Sequence, residues 1–240
     1  MTTSSNYITM QLQIADDLGD RQDLLAPLSD ETLTLSPIQA AIQNAIARWE
    51  RRSFYFNELL IDVNTANGTS PWNTVNGQEY YGAADYANIP LFSEIKKLWV
   101  YINAQRYVMT PRTFSFAVDT SVNPTVTGIP IDYEYADEQI RMYPIPNGAY
   151  PVFLWANLRL AALVNNTDAN AWTKDAENLI RAEAKRILAE DTLHDDDLRQ
   201  RMTVAIHGHP EEPESRGYLF DLQAETRRRR RSGRVRPSHF

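Results

Sequence analysis

Tyr7, Met10, Ile14 and Leu18 recur every three or four positions, and Gly19 follows directly. That period puts the four on one stripe of an amphipathic helix that the glycine stops. A second helix is announced by its own start signal. Ser36 can cap it, Pro37 falls where the first helical N–H has no partner anyway, and Gln39 completes a capping box. Its inner face is Ile38, Ile42, Ile46 and Trp49, and the pattern predicts helix from Pro37 to about Arg52.

The period then changes. From Phe54 to about Ala162 the chain is rich in Tyr, Phe, Val, Ile and Thr, broken by Pro, Gly and Asn, as antiparallel strands and turns require. Asn147-Gly148 is the clearest hairpin signal, predicted to join a strand holding Ile140 and Met142 to one holding Tyr150, Val152 and Leu154. Phe153 and Trp155 make the other face of that second strand apolar too, so it is either sandwiched or set against a neighbouring subunit. Lys97–Ile102 and Arg106–Met109 form another expected pair, joined through Asn103-Ala104-Gln105. Asn64 to Asn88 shows no period and reads as a long loop carrying Tyr80, Tyr81 and Tyr86.

Helical spacing returns near Trp172. Ala176, Ile180, Ala184 and Ile187 form a stripe, and Asp195, Asp196 and Asp197 suit the positive first turn of a further helix with Leu198, Met202 and Ile206 inside. Gly208 and Pro210 end it, an acidic hinge spans Glu211 to Glu214, and Tyr218, Leu219 and Leu222 can form a short helical stretch. The expected fold is α+β: a helical bundle (1–52 and 163–213) with an inserted antiparallel β-domain (53–162) and an extended basic C-terminal tail (214–240).

Charge sharpens this picture. The formal net charge of −7 hides a tail, residues 227–240, with seven arginines and no acid; the rest of the chain carries −14. Such a body does not attract nucleic acid over its general surface, while the tail can bind any anionic surface. The tail has only Val235 and Phe240 as large apolar groups and is expected to stay disordered until it binds. There is no cysteine, which excludes disulfides, thiolate metal sites and cysteine nucleophiles. No run approaches the length of a membrane span, and the first basic residue is Arg21, so no secretory signal is expected.

Catalytic chemistry has few carriers. His207-Gly208-His209 flanks a glycine beside a proline and reads as a helix stop, and the aspartates after His194 read as a solvated helix start. Nucleophile-elbow, P-loop and dinucleotide fingerprints are absent. Neither an enzymatic activity nor a cofactor or metal is expected. A base-stacking platform needs interleaved cations, and between Tyr80 and Trp155 there are mainly Lys96, Lys97, Arg106, Arg112 and Arg141, with Arg159 just beyond, against many acids; Tyr80, Tyr81, Tyr86, Phe153 and Trp155 are therefore assigned to packing and to a subunit or tail interface.

One stretch goes further: Gly128-Ile129-Pro130-Ile131-Asp132-Tyr133, then Gln139-Ile140-Arg141-Met142-Tyr143-Pro144-Ile145-Pro146-Asn147-Gly148-Ala149-Tyr150. It resembles a pattern of the head-to-tail adaptor proteins of tailed bacteriophages, which share this order of helices, inserted β-domain, helices and C-terminal extension. The resemblance implies a virion protein at the neck, assembled in the host cytoplasm. It would be a ring of commonly twelve copies that docks to the portal protein, continues the DNA channel and receives a downstream tail or nozzle protein. The matching docking segment here is about Glu214 to Phe240, with Arg227, Arg228, Arg229, Arg230, Arg231, Arg234, Val235, Arg236 and Phe240 as its contacts. DNA would pass without specific binding, and no membrane is involved. The alternative from the residues alone is a nucleic-acid-binding protein acting through the arginine tail.

Overall fold

In the computed structural model, which describes residues 6–26, 35–63, 69–113, 126–212 and 215–230, the Asn6 side chain accepts the Thr9 N–H at 3.0 Å and opens α1 (Tyr7–Asp17). Tyr7, Met10 and Ile14 are fully buried, and Gly19 takes a φ of +87° past the end, as its position predicts. Helix α2 (Pro37–Trp49) has the expected capping box between Ser36 and Gln39. It ends three residues before Arg52, with Glu50 as its C-cap. After the β-rich stretch come α3 (Ala171–Lys174), α4 (Glu177–Leu188), a π-helical turn (Ala189–Leu193), α5 (Asp196–His207) and α6 (Tyr218–Arg230). Asp195 caps α5 by accepting the Leu198 N–H at 2.9 Å.

These helices form one unit, Met1–Phe56 with Leu160–Phe240, while Asn57–Arg159 forms a second. The boundaries lie inside the predicted ones because Phe54, Phe56 and Leu160 pack with the helical core, around Trp172. Glu183 on α4 is buried at 1% exposure between Arg48 of α2 (3.1 Å) and Arg186 (2.9 Å). Two guanidinium groups there offset the desolvation of one carboxylate.

The second unit is a curled, mixed sheet rather than the antiparallel domain expected. Its strands are β1 (Glu58–Ile61), β2 (Trp72–Asn73), β3 (Tyr80–Tyr81), β4 (Phe92–Ile102), β5 (Gln105–Pro111), β6 (Thr127–Gly128), β7 (Asp132–Ala136), β8 (Gln139–Tyr143), β9 (Ile145–Pro146) and β10 (Pro151–Leu158). The order is β1-β10-β4-β5-β7-β8-β3, with β2 also beside β10. β5 runs parallel to β7, and β6 and β9 form a separate parallel pair. The predicted loop from Asn64 is therefore partly strand, because Trp72 and Tyr81 are drawn into the core; residues 64–68 lie outside the described residues.

Asn147-Gly148 does not close a hairpin. β8 pairs with β7 and β3, and β10 pairs with β1, β2 and β4. Pro144 and Pro146 offer no N–H to a ladder, and the chain between them turns away to pair with β6, so it reaches Gly148 already clear of β8. The true two-residue turns are Asn103-Ala104, which leaves Gln105 paired with Ile102, and Asp137-Glu138. All four residues have φ between +50° and +63°, the sense that matches strand twist.

β10 is apolar on both faces, as its sequence implies. Val152, Leu154 and Ala156 join the main core inside the curl, and Phe153 joins Ile61 and Trp99 in a smaller cluster on the other face.

Helices α5 and α6 meet at glycine. A Cβ on Gly217 would lie 2.3 Å from the Ile206 carbonyl oxygen, and one on Gly208 would lie 2.2 Å from the Ser215 carbonyl oxygen. Both obstacles are backbone and cannot rotate away. Gly217→Ala is expected to lower stability by about 1–3 kcal/mol in denaturant unfolding. Ile42→Asp, which buries an uncompensated charge in the helical core, is expected to abolish the cooperative melt followed by circular dichroism.

Candidate docking site on the C-terminal helix

The segment expected to be extended is instead helical through Arg230. Leu219, Leu222 and Thr226 are its buried residues, spaced three and four apart, and Arg229 is the next position on that stripe. The Thr226 hydroxyl donates to the Leu222 carbonyl at 2.8 Å and accepts the Tyr55 N–H at 3.3 Å. The Arg229 guanidinium lies 3.8 Å from the Tyr55 ring centroid, and the Tyr55 hydroxyl donates to Asp175 at 2.6 Å. Glu225 receives Arg229 at 2.7 Å and Arg228 at 2.5 Å. The last turns of α6 are thus clamped to Tyr55 on one side, while Arg227 points outward without an ion pair among the described residues. Cations at a helix C-terminus also face the negative end of its dipole.

Electrostatics follow this geometry. The two arginines hold the Glu225 carboxyl down at about 2. Burial, then the hydrogen bond to Asp175 and the charge of that carboxylate, push the Tyr55 phenol up to about 12. Beside the clamp is a cleft of about 420 Å³ lined by Tyr55, Lys174, Asp175, Glu177, Tyr218, Asp221 and Glu225, among others.

The expected docking residues divide accordingly. Arg227, Arg228, Arg229 and Arg230 lie on α6, and Arg229 also packs onto the body; Arg231, Arg234, Val235, Arg236 and Phe240 lie outside the described residues. The expectation that disorder begins at Arg227 is therefore corrected for its first four residues. The stripe on α6, continued to Arg229, is the signal that could have shown it.

The five aromatics do not form one surface. Tyr81 is fully buried, with its hydroxyl accepting from Val75 N–H and donating to Gln78 carbonyl, both at 3.0 Å. Phe153 is packed edge-on against Tyr101 beside Trp99, and so is spent on the unit's own packing. Tyr86 stacks on Trp72 at 5.5 Å, and Trp155 sits under the Lys96 ammonium at 4.9 Å. Tyr80 stands half exposed. Among the described residues, no three His, Asp or Glu side chains gather as metal ligands, and no helix is long and apolar enough to cross a membrane.

This is an α+β protein whose last described helix ends in a row of cations. The chain belongs to the SU10 adaptor protein family, whose model matches residues 5–236. It is thus a bacteriophage structural adaptor, a component of the virion that contacts other virion components. No curated protein matches the chain.

The ion pairs of Glu225 with Arg228 and Arg229 make the last turns of α6 acid-sensitive. A carboxyl that ionises near 4.5 in the unfolded chain and near 2 when clamped adds stability fully present above about 4.5 and lost as pH falls towards 2. Hydrogen exchange of the α6 amides should accelerate, relative to α2, as pH falls through that window, once intrinsic rates are corrected. Glu225→Gln should flatten the difference.

Proposed function

We propose that this adaptor is the head-to-tail connector at the virion neck, in a structural and not an enzymatic role. Copies form a ring, commonly of twelve in proteins it resembles, that docks to the portal protein and prolongs the DNA channel. The ring presents the attachment site for a downstream tail or nozzle protein, and it serves DNA packaging and genome ejection as a conduit. It assembles in the host cytoplasm. The observation that carries this reading is the arginine row at the end of α6, held at its root by the Tyr55 clamp and continued by arginines beyond it. A row anchored at one end is placed to reach an acidic groove on a partner, where each guanidinium can form paired hydrogen bonds to a carboxylate. The acidic body suits a channel wall, since it does not hold passing phosphates.

Removing residues 231–240 leaves the clamp in place. The shortened chain should melt like the full one but bind purified portal more weakly, measured by co-sedimentation. Arg227→Lys with Arg228→Lys should weaken docking as well, because lysine keeps the charge and loses the fork. Undiminished docking by both the shortened chain and the lysine variant refutes the reading. If instead the tail acted on duplex DNA, seven arginines would give a salt dependence of roughly −6 in log–log slope.

A further inference from the structure

On the sheet face opposite the core, Tyr80, Arg141 and Glu134 stand side by side on β3, β8 and β7. Gln139 and Ala136 form the next cross-strand pair, and the Asp137 turn closes the end. Together they line a cavity of about 210 Å³.

Glu134 is the unusual member. It is 7% exposed, and among the described residues it makes neither an ion pair nor a side-chain hydrogen bond. Two positions earlier on the same strand, Asp132 is as deeply buried but is paired with Arg112 at 3.1 Å. The cross-strand neighbour of Glu134 is an arginine too, yet Arg141 is turned to Glu79 and to the Tyr80 ring, 5.6 Å away. The residue is buried along its stem while its carboxylate opens into the cavity, an anion with no cation of its own.

The cavity selects what that is. Its volume admits a guanidinium with its last methylenes and little more. Glu134 supplies two oxygens for a forked contact, Asp137 and the Gln139 amide add acceptors, and Tyr80, half exposed, offers a ring to a planar cation.

We propose that this cavity receives an arginine side chain of a second copy of this chain. The chain holds 20 arginines against 4 lysines, and among the described residues Arg51, Arg159, Arg201, Arg216 and Arg227 are exposed without an ion pair. None of these lines the cavity, and all but Arg159 belong to the helical unit, whereas the cavity belongs to the sheet unit. The contact therefore joins unlike patches, and such a contact repeated around an axis closes a ring. The proposal rests on the ring reading above and gives it one specific joint.

Two measurements test it. N-acetyl-arginine amide titrated into the full chain should shift the Tyr80 ring resonances saturably. The uncharged N-acetyl-citrulline amide should not, and Glu134→Gln should weaken the arginine response by about tenfold or more. The same variant should keep its Tm, because the Glu134 carboxylate makes neither an ion pair nor a side-chain hydrogen bond among the described residues. An unchanged titration in Glu134→Gln, an equal citrulline response or a lowered Tm each overturns the proposal, the last by showing a structural role. In assembled particles, a photo-crosslinker replacing Asp137 should join a second copy near Arg51, Arg159, Arg201, Arg216 or Arg227. An adduct with a different virion protein, or none, overturns the second copy as occupant. The titration needs no assembly, so a failure of the ring itself, seen by particle imaging, is distinguishable from a failure of the cavity.

Discussion

Two short strands close an insertion of about a hundred residues: Glu58 to Ile61 lies against Leu154 to Asn157, and the Leu158 N–H reaches the Asn57 carbonyl at 2.8 Å. The helical core is built from both sides of that insertion, with Tyr7, Ile38, Ile42 and Phe54 before it and Leu163, Trp172, Ile180 and Ile206 after it. Left open, so long a segment would set its closure entropy against every contact between the two halves. The β1–β10 ladder brings the ends of the insertion together, so the helical core can form as though its two parts were nearly continuous.

The charged groups divide by how their desolvation is met. Glu183 lies buried with two arginines, and Asp132 with one. Glu225 lies nearer the solvent, where its two arginines fasten a helix more than they compensate burial. Glu134 has the burial of the first pair and the company of none. Four carboxylates in one small chain thus span the range from structural to available, and cross-strand or helical spacing alone does not separate them. The direction each neighbouring arginine takes does, and Arg141 takes the other direction.

The helices ahead of α6 were legible because their signals are local: a capping box at Ser36, aspartates at the start of α5 and stripes of buried residues all act within one or two turns. The presence of a β-domain was legible from composition and alternation, but its pairing was not. Asn147-Gly148 has the right turn chemistry, yet two prolines on its N-terminal side divert the chain, while Asp137-Glu138, a weaker sequence signal, makes the real turn. Strands of two residues, such as Trp72-Asn73 and Tyr80-Tyr81, are too short to show a period. At the candidate site the arginines were visible in the sequence. The clamp was not, since Tyr55 and Thr226 meet across 171 positions.

The glycine crossing between α5 and α6 bears on how the chain would carry mechanical load. Side chains yield under force by changing rotamer, so most contacts between helices are compliant. Gly208 and Gly217 leave backbone against backbone, with no rotor between them. Tension applied to the arginine end of α6 would therefore run down the helix and meet the main chain at the end of α5 through a close backbone contact. For a component of a virion, that crossing would pass load between helices as well as turn the chain.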